Sequence, residues 1–102
     1  MEAVLLEHQD VADAAAVGIV AHGEELPRAY VVLQAQAKGK TTEADIQRFV
    51  ASKVAKHKRL AGGVKFIDEV PKLASGKIVR KLMKEWAKRD AKEVENTIKA
   101  RL

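Results

Sequence analysis

The chain contains no cysteine in 102 residues, which excludes disulfides, thiolate zinc sites and cysteine nucleophiles. Aromatic residues are only 4% of the sequence, too few to supply the stacking platforms of a single-strand nucleic-acid binder. Apolar runs are short: the longest, Val11 to Val20, is broken by Asp13 and cannot cross a bilayer. Met1 is followed by Glu2 and Glu7 rather than a basic segment, so no secretory leader is expected. Histidine is scarce as well. His8, His22 and His57 fall in different elements without ligand spacing, and no metal site is expected. With two prolines and no serine-rich stretch there is no linker composition, and no internal repeat is visible.

What remains is an ordinary globular composition, 47% hydrophobic, in a length that suits one domain with one real core. The net charge of +5 is unevenly placed. Residues 1–70 hold 9 basic and 10 acidic side chains, whereas residues 71–102 hold 10 and 4, so the whole excess lies in the tail. Such a tail is a solvated helix face or a surface for phosphates, nucleic acid or an acidic protein.

The pattern predicts a helix over 2–8 with Val4, Leu5 and the stem of His8 on one side, then a buried strand over 11–20. A second strand is expected over 28–34 after Pro27, joined to the first as a hairpin near Gly23. Thr41 or Thr42 caps a helix whose stripe is Ile46, Phe49, Val50 and Val54, opposite Asp45, Arg48 and Lys53. That helix runs into the basic cluster Lys56, His57, Lys58 and Arg59, and Gly62-Gly63 ends it. A third strand over 64–70 follows, with Asp68 and Glu69 on opposite faces and so unable to cooperate as a carboxylate pair. From Ile78, Leu82 and Trp86 repeat every fourth residue, and Val94 and Ile98 continue a helical tail, in two pieces around Lys88-Arg89-Asp90. The order predicts an α+β fold: a small mixed or antiparallel three-stranded sheet flanked by helices, with a core of about 1–82 and a basic helical tail over 83–102.

Pro71-Lys-Leu-Ala-Ser-Gly-Lys-Ile-Val-Arg80 puts a glycine beside Lys77 on a strand-to-helix loop. It is not a phosphate-binding P-loop, because Ile78 stands where that motif needs Ser or Thr and the earlier glycine is missing. Ser75 has no base near it in sequence, which leaves helix capping as its expected role. On spacing alone the segment reads as a basic surface loop.

The same segment closely resembles the last core motif of the adenylate-forming superfamily, Pro-Lys-x-x-x-Gly-Lys followed by Ile and Arg. That superfamily includes acyl-CoA synthetases, 4-coumarate-CoA ligases, luciferases and peptide-synthetase adenylation domains. Glu2-Ala-Val-Leu-Leu-Glu-His8, Val11 to Gly18, Gly23-Glu24, Pro27, Ala29, Val31-Val32 and Val64 to Val70 resemble its C-terminal domain in order, so about residues 1–82 are covered. The resemblance implies a single C-terminal lid domain of an ATP-dependent acid-thiol ligase, in which Lys77 bridges the carboxylate and the α-phosphate during acyl-AMP formation. It also implies that Lys72, Ser75 and Gly76 form the surrounding substrate and phosphate loop, with Gly76 letting the backbone approach closely and the loop move. Lys53, Lys56, Lys58 and Arg59 are the candidates for CoA phosphates after the domain rotates. Mg-bound ATP and CoA are then substrates of the complete enzyme, neither bound by this domain alone. The implied partner is the N-terminal adenylation domain, with no nucleic acid and no membrane span. A peptide-synthetase fragment and a basic nucleic-acid or protein-binding module through residues 77–101 are the alternatives. Ala100-Arg101-Leu102 has the pattern of a peroxisomal address.

Overall fold

The computed structural model describes residues 1–55 and 59–101, with side chains described through residue 96. Alternation builds its sheet. Ala15, Val17, Ile19 and Ala21 recur every second residue on one face of β1 (Val11–Ala21), and Ala29, Val31 and Leu33 do so on β2 (Glu24–Leu33). His22 (φ 52°) and Gly23 (φ 79°) close the two-residue turn between the strands, a left-handed pair whose twist matches the strands on either side. β1 and β2 pair antiparallel, and β3 (Val64–Phe66) joins β2 in parallel, giving the order β1-β2-β3.

The helices cover both faces. On one, α1 (Glu2–Leu6) and α2 (Glu43–Lys53) bury Leu5, Ile46 and Val50 with Leu60 against Val11, Ala14, Ala29, Val31 and Leu33. On the other, α3 (Arg80–Arg101) buries Met83, Ala87 and Val94 against Ala15, Val17, Ile19 and Tyr30. Thr42 caps α2 reciprocally with Asp45, each side chain accepting from the other's backbone N–H. The α+β sandwich with a mixed sheet is therefore as expected.

Several boundaries differ. β2 starts at Glu24, so Pro27 lies inside it, opposite Gly18. A two-residue turn makes Ala21/Glu24 and Ile19/Leu26 the hydrogen-bonded pairs, so a donor at position 27 would point away from β1, toward the side where β3 does not reach. The Pro27 carbonyl there receives the Gly62 N–H at 2.8 Å. β3 ends at Phe66 rather than residue 70: after the Ile67 N–H reaches the Val31 carbonyl the ladder stops, and Asp68 and Glu69 lie outside any strand. Residues 67–71 instead carry the chain across the end of the sheet, with Ile67 and Val70 in the α3-side core.

The tail is one helix, not two pieces, and its buried stripe is Met83, Ala87, Asp90 and Val94. Leu82 is exposed, and Trp86 is only partly buried, edge-on to Tyr30 at 5.5 Å between ring centroids. The polar stretch expected to break the helix holds its deepest charge. Asp90, 4% exposed, accepts from the Tyr30 hydroxyl (2.9 Å) and from Arg28 (3.2 Å), itself 5% exposed. Arg28 also donates to the Gly62 carbonyl at 2.8 Å, and Lys65 and Arg89 approach the other Asp90 oxygen. Among the described residues no buried side-chain polar atom lacks a partner. Ile98, Leu102 and the proposed address at 100–102 lie outside the residues whose side chains are described.

Burial pushes the Asp90 pKa up, but hydrogen bonds from Tyr30 and Arg89 and the charges of Lys65 and Arg28 outweigh it and hold the carboxyl below its usual range. A depressed carboxylate stabilises the fold above its unfolded pKa of about 3.9, and that stability is lost as pH falls from about 5 through the folded value. Asp90→Ala leaves Arg28 buried and half-paired, and should cost about 3–5 kcal/mol. Lys65→Ala, removing a partner that is 37% exposed, should cost at most about 1 kcal/mol. Urea titrations at pH 7 and pH 4 check both: wild type should weaken at pH 4, and the Asp90→Ala chain should lose less on acidification.

Candidate active-site hairpin

Pro71 to Arg80 does not form an open loop. Lys72 pairs with Ile78, the Leu73 N–H donates to the Lys77 carbonyl (2.8 Å), and the Val79 N–H donates to the Pro71 carbonyl (2.9 Å). Gly76 N–H donates back to the Leu73 carbonyl at 2.8 Å, and Gly76 itself has φ +88°. This is a turn followed by a left-handed residue, the standard way to close a three-residue hairpin loop. A Cβ at position 76 would meet nothing within 4 Å of this domain, so within it glycine is required for its backbone angle. The hairpin also corrects the expectation for Ser75. It sits in the turn, five residues before α3 begins, and cannot cap that helix.

Lys77 follows the turn, exposed, and its ammonium has no hydrogen bond or ion pair among the described residues. The other lysine of the motif is not free. Lys72 Nζ lies 2.6 Å from Asp13 Oδ2 on β1. On the far arm, Arg80 donates to the Ala16 carbonyl (3.0 Å) and to Glu2 Oε1 of α1 (2.8 Å). Burial raises the Glu2 pKa, and the Arg80 hydrogen bond and charge, together with a bond from its own backbone N–H and the N-terminal ammonium, more than reverse this and leave it below the ordinary carboxylate range.

The candidate CoA contacts lie elsewhere. Lys53 is exposed at the end of α2 with its ammonium over the Phe49 ring at 5.6 Å, and Arg59 is exposed next to the buried Leu60. The 60–63 turn is fixed by Gln47 on the Leu60 carbonyl (2.7 Å) and by Arg28 on that of Gly62. Gly62 has no room for a side chain there, since a Cβ would stand 2.6 Å from Ile19 and 2.8 Å from the Pro27 carbonyl. Lys56 and Lys58 lie outside the described residues. The structure therefore brings Lys72, Ser75, Gly76 and Lys77 together on a hairpin tied to β1, and leaves Arg59 beside the β3 end of the sheet. Among the described residues no three His, Asp or Glu converge as metal ligands. A cleft between α2, β3 and α3 has Arg28, Glu43, Gln47 and Lys65 in its wall, each already bonded within the protein.

Sequence reasoning missed Asp13, Glu2, Arg80, Arg28 and Asp90 as partners. Two left a signal: Asp13 interrupts an apolar strand, and Asp90 falls in the series Met83, Ala87, Asp90, Val94 where only buried residues stand.

A sequence model of the AMP-binding enzyme C-terminal domain matches residues 1–77. A phenylacetyl-CoA ligase of Aspergillus niger is 45% identical over 90% of this chain and 16% of its own length. A luciferin 4-monooxygenase of Luciola mingrelica is 47% identical over 87% of this chain and 16% of its own. Among solved structures, a benzoate CoA ligase from Burkholderia xenovorans superposes with a TM-score of 0.72 and 36% identity, covering 81% of this chain and 17% of that one. The chain spans about a sixth of the length of the curated relatives it matches.

Gly76→Ala should strain the turn by about 1–2 kcal/mol. Because the hairpin is exposed, the loss should be local: amide exchange at Leu73 and position 76 should quicken about 5- to 30-fold while exchange in β1 and β2 is unchanged. Residue-resolved hydrogen exchange of the chain checks this.

Proposed function

Since the chain belongs to the AMP-binding enzyme C-terminal domain family, we propose that it is the lid of an ATP-dependent acid-thiol ligase of the acyl-CoA synthetase type, with Lys77 as its adenylation lysine. The observation that carries this is an exposed ammonium, without a partner among the described residues, at the end of a bonded hairpin. A lysine so left, on a braced support, is suited to meet a charge on another surface.

The chemistry asked of it is electrostatic. As a carboxylate oxygen attacks the ATP α-phosphorus and pyrophosphate leaves, negative charge crowds the phosphoryl oxygens, and a compact ammonium with three donors can bridge them to the carboxylate. The chain supplies that one group. The ATP and acyl pockets, and the choice of acid, 4-coumarate-like or otherwise, belong to the larger domain, as does magnesium held with the phosphates. CoA enters the second step, and Arg59 with Lys53, Lys56 and Lys58 are the residues we assign to its phosphates.

The sheet supports this division. The hairpin of Lys77 is tied to β1, whereas Arg59 precedes the 60–63 turn that leads into β3, so the two groups stand on different supports. One docked orientation need not serve both groups, and a rotation of the domain between the two steps presents them in turn.

In a protein joining this chain to an N-terminal adenylation domain, Lys77→Ala should slow pyrophosphate release by about 10²–10³, roughly 3–4 kcal/mol. Conversion of preformed acyl-AMP and CoA to thioester should change little. Lys77→Arg should not restore the first step, because a planar fork cannot place one compact charge between two groups. Equal loss in both half-reactions would remove the assignment. The isolated 102-residue chain should release no pyrophosphate from ATP with any acid tested.

A further inference from the structure

The hairpin that carries Lys77 leaves the core at Val70 and returns at Ile78, with every residue from Lys72 to Lys77 exposed. Its own three hydrogen bonds fix its shape but not its direction. Direction comes from outside: Ile78 packs on the α3-side core, and two carboxylates on the body of the domain brace the ends, Asp13 holding Lys72 on the first arm and Glu2 holding Arg80, where the second arm enters α3. We propose that Asp13 and Glu2 are positioning residues for acyl-AMP formation, acting through Lys72 and Arg80 to aim the Lys77 ammonium; this rests on the reading of Lys77 above.

The backbone around Asp13 is arranged for this. The β1–β2 register slips between Val11, opposite Leu33, and Asp13, opposite Val32, so one extra residue bulges from β1. Strand side chains alternate, so without the bulge Val11 and Asp13 would share a face, and Asp13 would enter the α1/α2 core. With it, Val11 stays in that core beside Leu33, while Asp13 moves to the face of Val32, where the chain crosses from β3 toward the hairpin. Asp13 Oδ1 is then pinned by the Ala14 N–H at 2.9 Å, leaving Oδ2 to Lys72. Ala16, three residues along the same strand, receives Arg80. Both arms thus stand on β1 about 10 Å apart, the separation of three residues in an extended strand.

Magnitudes separate aim from stability. The Lys72–Asp13 pair is 41% and 31% exposed, and an ion pair so exposed adds little to the folding free energy. A 1 Å error in the placement of a reacting group, by contrast, costs up to about a hundredfold in rate. Asp13→Asn should therefore leave the melting temperature of the chain within a few degrees of wild type, yet slow the chemistry.

The test joins this chain to an N-terminal adenylation domain and measures the two half-reactions separately. Asp13→Asn and Lys72→Met should each lower kcat for adenylation about ten- to a hundredfold with the KM for ATP and acid unchanged. The double variant should be no worse than either single one, since both break one link. Glu2→Gln should act in the same direction, and none should alter conversion of preformed acyl-AMP with CoA. Losses in both half-reactions together with a fallen melting temperature would overturn the proposal in favour of a purely structural role. Unchanged adenylation in Asp13→Asn and Glu2→Gln, while Lys77→Ala is crippled, would overturn it and leave the reading of Lys77 standing. If Lys77→Ala were also silent, the reading itself would fall with it.

Discussion

The arrangement of this domain depends on one buried carboxylate. Asp90 meets Tyr30 and Arg28 on the central strand, Arg28 reaches on to the Gly62 carbonyl, and so one network fixes α3, β2 and the turn before β3 relative to each other. Three elements that share few covalent constraints acquire a single register. Burying such a group is unfavourable unless its polar atoms find partners, and among the described residues every buried side-chain nitrogen and oxygen has at least one. Replacing the network with apolar side chains could give equal stability, but it would not specify which turn of α3 lies over Tyr30.

That specification reaches the hairpin. α3 begins at Arg80, the residue that grips Ala16 and Glu2, so a helix slipped by one turn over the sheet would carry its first residue about 5 Å away from both. The Met83, Ala87 and Val94 stripe would tolerate such a slip, since apolar packing is only weakly directional. Asp90 would not. The deep network and the exposed ion pairs therefore act in series, the first fixing the helix and the second fixing the hairpin ahead of it.

Much of this was legible in the sequence. An apolar run gave β1, β-branched and aromatic content gave β2, Thr41 or Thr42 marked the start of α2, and the Ile46, Phe49 and Val50 stripe located its inner face. The motif around Lys77 was visible as a run of residues, and its resemblance pointed to the right family. What could not be read was pairing between residues far apart in the chain. Lys72 could be assigned to the substrate and phosphate loop but not to a partner, because nothing local marks Asp13, 59 residues earlier. Lys88-Arg89-Asp90 looked like a solvated break because charge is ordinarily exposed, and only Arg28, 62 residues away, turns it inward. The same limit explains the short β3: the β-branched content of residues 64–70 does not show where its ladder with β2, far back in the chain, ends.

Pairing also bears on what the free charges mean. A basic tail and a basic motif invite one reading, a cationic surface for polyanions, and net charge alone does not distinguish it from a catalytic lysine. The structure divides the cations instead. Arg28 is consumed in the core, Lys72 and Arg80 are consumed in supporting the hairpin, and Lys77, between them in sequence, is left without a partner among the described residues. A surface selected only for positive charge has no reason to spend two cations and two carboxylates on orienting a third cation. The asymmetry between Lys72 and Lys77, five residues apart and chemically identical, agrees with the role proposed for Lys77.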